Sequence, residues 1–320
     1  MLEIENKYWS KGFKYVAGID EAGRGPLAGP VVAACVIFNK GDRIEDIKDS
    51  KKLTDKKRNE LFKIIYKRAL GVGIGIVHES KIDEINILKA TFLAMNKSIG
   101  QLSVNPDQVL VDGPYSNVKI YPVEHVVNGD NLSQSIAAAS IIAKVTRDHL
   151  MIEYDKIFPE YGFAKHKGYG TKYHMETIKS LKSTPIHRKS FKVVNEHLPN
   201  FNFFKQSNNI GKLGSQIIAS NYIKKNYFIL DSNISLDSGN IIDYCFENSE
   251  DSTLLFVKSI TKLNDLKFSL DNTYNVDKSF YKNFIDSYLI ENNYDKKYSF
   301  TVISIEFIKS NKHIIKEVWL

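Results

Sequence analysis

The sequence predicts an α/β fold, a central sheet flanked by helices, followed by a smaller C-terminal α/β domain. Three observations carry that expectation. Over the first 200 residues, short apolar runs bounded by glycine and polar turns alternate with longer stretches at helical spacing. The pattern then breaks into Leu198-Pro199-Asn200 and Gln206-Ser207-Asn208-Asn209, the composition of a linker, which divides the chain into 1–205 and 206–320. The charge changes at the same place. Residues 1–200 hold 30 Lys and Arg against 23 acids, whereas residues 201–320 hold 14 Lys, no Arg and 14 acids.

Each element follows from local chemistry. Lys14 to Asp20 is an apolar run ending in acid, and Val31 to Phe38 is a second strand after a Gly/Pro-rich turn. Thr54 is an N-cap for a helix to Ala69, with Leu61, Ile64, Ile65 and Arg68 at helical spacing. Val72, Ile74 and Ile76 alternate in a strand from Gly71 to His78. Ser80 to Ile99 reads as one helix whose stripe is Ile82, Ile85, Leu88, Phe92, Met95 and Ile99. Gln108 to Asp112 and Val118 to Val123 are strands, Leu132 to Lys156 is a long helix with close-packing alanines, and Lys172 to Leu181 is another helix. Beyond the linker the spacing predicts helices over Ile210 to Ile223 and Lys278 to Leu289. It predicts strands over Tyr227 to Leu230, Ile241 to Phe246, Leu254 to Val257 and Thr301 to Ile308.

Composition narrows the function classes. The chain has 320 residues, 43% hydrophobic and 25% charged, the balance of an ordinary globular protein with room for two cores. Met1 to Gly12 carries no apolar core of an export signal, and no stretch reaches the ~18–20 apolar residues of a membrane span. Cys35 and Cys245 have no partner spacing, which argues for a reducing cytoplasm and against disulfides or a thiolate zinc site. The net charge of +7 resides wholly in the first part, as a nucleic-acid partner there would require. A modest excess that only aids solubility is the plain alternative.

Three places end an apolar run or begin a helix with acid close to glycine: Gly18-Ile19-Asp20-Glu21, Val111-Asp112-Gly113 and Gly129-Asp130. Strand ends in α/β sheets open onto crevices, and carboxylates gathered there stay charged only beside cations. Hard ions with oxygen ligands, Mg²⁺ or Mn²⁺, suit such a set, and the matching chemistry is two-metal phosphodiester hydrolysis. Taken singly, each acid is better read as a turn residue.

The surrounding sequence changes that balance. The run from Tyr15 to Val32, YVAGIDEAGRGPLAGPVV, resembles the N-terminal signature of bacterial ribonuclease HII. Asp49-Ser50-Lys51-Lys52-Leu53-Thr54, Val111-Asp112-Gly113, Gly129-Asp130, Ile136 to Asp148, His166 to Thr171 and His187 to Phe191 follow in the family's order. The resemblance covers nearly all of residues 12–195. It implies a ribonuclease H-like fold, a mixed sheet with helices on both faces, with Asp20, Glu21, Asp112 and Asp130 as catalytic and metal-binding carboxylates for Mg²⁺ or Mn²⁺. Neighbours in a strand face opposite ways, so Asp20 and Glu21 are expected to share a site through a distortion near Gly23. Gly23-Arg24-Gly25 resembles the family's reader of the RNA-to-DNA junction, where the 2′-OH is the distinguishing group. Ribonuclease HIII lacks this Arg, so its presence favours type HII, although a plain ion pair is the simpler reading of Arg24. Tyr169 matches the tyrosine that stacks on the following deoxyribose. Lys51, Lys52, Lys144, Arg147 and Lys167 are candidate phosphate contacts, Asp148 is a helix ion-pair partner, and His166, His174 and His187 are assigned structural roles.

Residues 206–320 resemble the small bacterial YraN-type proteins, which have a restriction-endonuclease-like fold, through Gly211, Gly214, Ala219, Tyr222, Tyr227, Ile229, Leu230, Asp243, Phe256, Val257, His313 and Ile314. The departures decide more. Ser215 stands for that family's acid, Asn240 for its Glu, and Lys258-Ser259-Ile260 for its Glu-Val-Lys. Asp243 alone cannot hold a catalytic metal, so a structural or protein-partner role is expected.

The expected reaction is endonucleolytic hydrolysis of RNA paired with DNA, or 5′ of ribonucleotides embedded in duplex DNA, leaving a 3′-OH and a 5′-phosphate. The rivals are another nuclease of the same fold, such as a resolvase or integrase, and a non-catalytic hybrid-binding module. The junction-type residues argue against the first, and four intact acids against the second.

Overall fold

The computed structural model describes residues 1–47, 50, 53–200, 203, 209–235, 241–263, 278–308 and 312–319. They divide into two compact units, Met1–Ile152 with Tyr161–His197, and Glu153–Glu160 with Leu198–Leu320. The boundary expected at Gln206 lies outside the described residues.

In the first unit, β1 (Val16–Ala22), β2 (Val31–Ile37), β3 (Gly71–Val77), β4 (Gln108–Asp112) and β5 (Val123–Val126) form one sheet in the order β3-β2-β1-β4-β5. The β1-β2 and β2-β3 pairs are antiparallel, whereas β1-β4 and β4-β5 are parallel. This is the mixed sheet that the resemblance implies. The helices are α1 (Glu3–Trp9), α2 (Asp55–Arg68), α3 (Glu79–Ile85), α4 (Ile87–Gly100), α5 (Gln134–Ile157), α6 (Phe163–His166), α7 (Lys172–Leu181) and α8 (Lys192–Asn195).

Strand alternation sorts the core into two faces. Ala17 and Ile19 of β1 point with Ala33, Cys35, Val109 and Val111 toward Ala90, Ala94 and Met95 of α4. Val16 points the other way, with Leu110 and Val126, toward Trp9 of α1 and Ile136 of α5. Gly18 lies on this second face, where a Cβ would come within 2.2 Å of the Ile136 backbone nitrogen. Only glycine lets the first turn of α5 rest directly on β1. Every residue of β2 is buried, as suits a strand paired on both edges and covered on both faces.

Local expectations held where a cap or a period was strong. Thr54 caps α2 by accepting from Lys57 N–H at 3.3 Å, and Leu61 and Ile65 are buried, although Ile64 is exposed. Two expectations need correction, and one helix was not expected. The stretch 80–99 is two helices, because Asn86 adopts φ 68° and its side chain starts α4 by accepting from Lys89 N–H. The strand placed at 118–123 occurs at Val123–Val126, where pairing with β4 sets the register; Val118 and Tyr121 pack on the core without joining the sheet. The polar N-terminus forms α1, whose Glu5 carboxylate is buried and accepts from Ser133 Oγ (2.7 Å) and Ser135 N–H (2.9 Å) at the start of α5.

The second unit is a smaller α/β body. Helix α9 (Ile210–Lys224) precedes β6 (Tyr227–Ser235), β7 (Ile241–Asn248) and β8 (Leu254–Leu263), then α10 (Lys278–Glu291), β9 (Tyr298–Ile308) and β10 (Lys312–Trp319). The sheet order is β10-β9-β8-β7-β6, with β8-β9 parallel and the other pairs antiparallel. Tyr281, Ile285 and Tyr288 of α10 enter a core with Cys245, Phe256, Phe300 and Val302. Strand β10 was not expected. Cys35 and Cys245 are both buried and free, and no helix among the described residues is long and apolar enough to cross a membrane.

Candidate active site

Parallel pairing of β1 with β4 brings two acids to one end of the sheet. The register runs Gly18 to Leu110 and Ile19 to Val111, and Asp20 and Asp112 are the next residues on each strand. Asp20 therefore shares a face with Asp112. The turn carrying Asp130 (Gly129–Asn131) is tied to the same place, because Gly129 N–H donates to Asp112 Oδ1 at 2.7 Å. Asp130 Oδ1 accepts from Asn131 Nδ2 at 2.8 Å.

Glu21 is placed differently from the expectation. β1 does not distort after Asp20: its pairing with β2 stays in register from Ala17 to Ala22. Alternation therefore holds, and Glu21 points to the opposite face, where it lines a cleft with Arg24, Leu88, Phe92, Met95, Asp112 and Tyr115. The two neighbouring acids straddle the strand, and Asp112 at the end of β4 borders both sides.

Burial, and then the charges of Glu21 and Asp112, hold the Asp20 carboxyl well above the usual carboxylate range. Hydrogen bonds from Ser140 and from Glu21 N–H (2.7 Å) oppose that rise. Ser140 in turn meets Ser50 Oγ at 2.9 Å. Sequence reasoning passed over Ser140; its signal is a lone hydroxyl inside the run from Ile136 to Ala143. Crowded oxygen donors raising one another in a low-dielectric spot fit a hard divalent cation. Among the described residues, however, no group of three or more His, Cys, Asp or Glu side chains is already arranged as a ligand set.

Beside the acids, the 23–30 loop meets the 167–171 loop. Gly23 has φ 95°, and a Cβ there would strike Arg147 Nε at 2.1 Å and the Pro30 carbonyl at 2.8 Å. The half-exposed Arg24 pairs with Glu21 at 3.2 Å, as the plain reading anticipated. Gly25 faces the ring edge of Tyr169, with a Cβ position 3.8 Å from Cε1, and Tyr169 is 44% exposed. Leu27 N–H donates to Gly168 O at 2.8 Å and joins the two loops.

The lysines and arginines divide. Arg147 is a correction: it is 1% exposed, and its guanidinium donates to Pro30 O (2.9 Å), Lys167 O (2.9 Å) and Ala28 O (3.1 Å). A guanidinium spent on three backbone carbonyls has no face for a phosphate. Lys144 pairs with Asp148 at 2.8 Å, and the Lys167 ammonium donates to Ala164 O. Lys51 and Lys52 lie outside the described residues. Arg188, given no role from sequence, is fully buried against the same loop.

In the second unit, Asp243 accepts from Ser259 N–H at 2.6 Å and stands 3.9 Å from the Lys258 ammonium. Burial pushes its carboxyl up. Ser215 donates to Lys212 O within its own helix, and Asn240 lies outside the described residues.

Residues 17–194 match the ribonuclease HII family. The ribonuclease HII of Clostridioides difficile is 56% identical over 191 residues, 59% of this chain and 74% of that protein. Those of Acholeplasma laidlawii (52% over 190 residues) and Geobacter metallireducens (53% over 195 residues) are matched over 93% and 92% of their lengths, and cover 59% and 61% of this chain. A match across more than half the chain, with relatives aligned over most of their own length, is not a shared motif alone: the chain belongs to the ribonuclease HII family.

Proposed function

We propose that the first unit hydrolyses RNA paired with DNA and cuts 5′ of ribonucleotides embedded in duplex DNA, leaving a 3′-OH and a 5′-phosphate. Membership of the family supports the reaction class. The observation that carries the site is Asp20, a buried carboxyl crowded by Glu21 and Asp112 at the end of two parallel strands. In this reading Asp20, Glu21, Asp112 and Asp130 hold Mg²⁺ or Mn²⁺. When bound, such ions neutralise phosphate charge and acidify water enough to make it a nucleophile at neutral pH. The chain's own contribution is placement. Asp112 fixes the turn of Asp130 through Gly129, and Ser140 orients Asp20.

Recognition falls to the two joined loops. The Gly23-Arg24-Gly25 backbone reads the ribose 2′-OH, and the exposed Tyr169 ring supports the next deoxyribose. Lys144 and Lys167, with Lys51 and Lys52, add phosphate contacts. The second unit, in this reading a restriction-endonuclease-like fold of the YraN type, carries no nuclease centre and serves a protein partner. A duplex with one embedded ribonucleotide, incubated with and without Mg²⁺ or Mn²⁺, tests the activity. Metal-dependent scission 5′ of the ribonucleotide is expected, and binding without scission would reduce the chain to a hybrid-binding module.

A further inference from the structure

We infer that the adjacent residues His187 and Arg188 form a positioning pair that sets the spacing between the Gly23-Arg24-Gly25 loop and Tyr169, and with it the selectivity for a ribonucleotide followed by a deoxyribonucleotide. The inference rests on the junction-reading roles proposed above for those two elements.

Arg188 grips the first element. It is fully buried, and its guanidinium donates to Gly23 O (2.5 Å), Arg24 O (2.8 Å), Gly29 O (3.0 Å) and Pro30 O (3.2 Å). The backbone repeats the grip, since Arg188 N–H donates to Leu27 O and Gly29 N–H to Ile186 O, both at 2.9 Å. Burial, together with the charge of nearby Arg147, pushes the Arg188 guanidinium down to about 9. A buried cation held by backbone carbonyls is a poor route to stability, because desolvation consumes what the hydrogen bonds supply. What a rigid fork does supply is geometry: four carbonyls of one loop are fixed by a single planar group.

His187 grips the second element through His174. The directions are set by groups that can only donate or only accept. Thr184 N–H donates to His187 Nδ1 at 2.9 Å, so neutral His187 carries its proton on Nε2. His174 Nδ1 lies 2.9 Å from Tyr169 O, a carbonyl, so neutral His174 carries its proton on Nδ1 and leaves Nε2 bare. The two Nε2 atoms are 3.0 Å apart, and the assignment makes one a donor and the other an acceptor. Every member of the chain from Thr184 through His187 and His174 to Tyr169 is thereby satisfied. His166 stacks on His174 with ring centroids 4.4 Å apart and accepts from Gly168 N–H at 3.1 Å, which braces the residue before Tyr169. Burial holds His187 well below its ordinary range and His174 at about 4, so both stay neutral and the chain keeps one direction.

Two consecutive residues thus hold two loops that are far apart in sequence. A shift of either loop would move Gly25 relative to the Tyr169 ring, whose Cε1 lies 3.8 Å from where a Cβ on Gly25 would stand. A continuous hybrid offers 2′-OH groups at every step and tolerates such a shift, whereas a single junction does not.

The test compares two substrates, a duplex with one embedded ribonucleotide and a continuous RNA–DNA hybrid, on the full-length protein. His174→Phe removes both hydrogen bonds while filling the space, and His174→Asn restores a donor toward Tyr169 O. The Phe variant should cut the single-ribonucleotide duplex about tenfold more slowly and the hybrid less than about threefold more slowly, with Asn within about threefold of the parent on both. Arg188→Lys should follow the Phe variant. Nitrogen NMR of the parent should give the Nδ1–H form of His174 and the Nε2–H form of His187. Equal losses on both substrates in folded variants, an Asn variant no better than Phe, or the opposite tautomers would overturn the inference. Failure of the parent itself to cut either substrate would instead overturn the proposed function; binding of the two duplexes in EDTA then decides the positioning role, which falls if the Phe variant discriminates between them as the parent does.

Discussion

Asp112 accepts the backbone N–H of Gly129 on Oδ1 at 2.7 Å, so the carboxylate that ends β4 also pins the turn from which Asp130 projects. That double duty separates structure from chemistry in a single substitution. Asp112→Asn keeps an oxygen for Gly129 and removes the charge. Its melting temperature should stay within a few degrees of the parent, while turnover falls more than about a hundredfold. Activity should also vanish in excess EDTA. Parent-like rates in the variant, or cutting in EDTA, would end the metal-dependent reading.

Recognition should separate from binding. Arg24→Ala and Tyr169→Ala should each weaken scission at a single embedded ribonucleotide by about tenfold or more, while affinity for duplex of any sequence changes little. Competition assays with all-DNA duplex measure the second quantity. A variant that cuts the embedded ribonucleotide like the parent removes that residue from the junction reader.

Arg147 should behave as a structural residue. Arg147→Lys leaves at least one of the carbonyls of Ala28, Pro30 and Lys167 without its donor, and should lower the unfolding free energy by roughly 1–3 kcal/mol. In Arg147→Gln, which removes the charge, the dependence of DNA affinity on salt should keep the parent's slope, because no phosphate contact is lost. A slope reduced by about one in a fully folded variant would restore the phosphate role.

Acid should destabilise the first unit through its buried histidines. His174, held at about 4 by burial, stays neutral when folded, whereas an unfolded histidine takes up a proton near pH 6.5. The folded value is the lower one, so its contribution is fully present above about pH 6.5 and is lost as pH falls toward about 4, amounting to roughly 2–3 kcal/mol. Urea unfolding measured between those limits should show this slope, and His174→Phe should flatten it. An unchanged slope in the variant would assign the acid sensitivity elsewhere.

Truncation after Gln206 should leave ribonucleotide cleavage in place, and residues 206–320 alone should cut no duplex, single-stranded or branched DNA. The truncation does remove the partners of Glu153–Glu160, which belong to the second unit: Ile229 N–H on Glu153 at 2.9 Å and Gln216 on Ile157 O at 3.0 Å. A melting temperature several degrees lower is therefore expected alongside retained activity. Metal-dependent cutting by the C-terminal fragment would show a live nuclease centre. Loss of cleavage in a well-folded truncation would make the second unit part of the catalytic machinery.

Local chemistry in the sequence determined much of this protein. The Thr54 cap fixed the start of α2, the apolar run from Val31 fixed β2, and the Asp112-Gly113 pair marked the end of β4. These signals lie within a few residues of what they specify. The tertiary structure decided what depends on partners far along the chain. Pairing with β4 set β5 at Val123–Val126 instead of 118–123, and unbroken pairing with β2 kept Asp20 and Glu21 on opposite faces. Burial turned Arg147 from a phosphate contact into a loop clamp and gave Arg188 its role, 165 residues from Gly23. A side chain's charge is legible in one letter, but whether water or a ring of carbonyls surrounds it is settled only when distant segments pack, because burial belongs to the assembled fold and not to any segment of it.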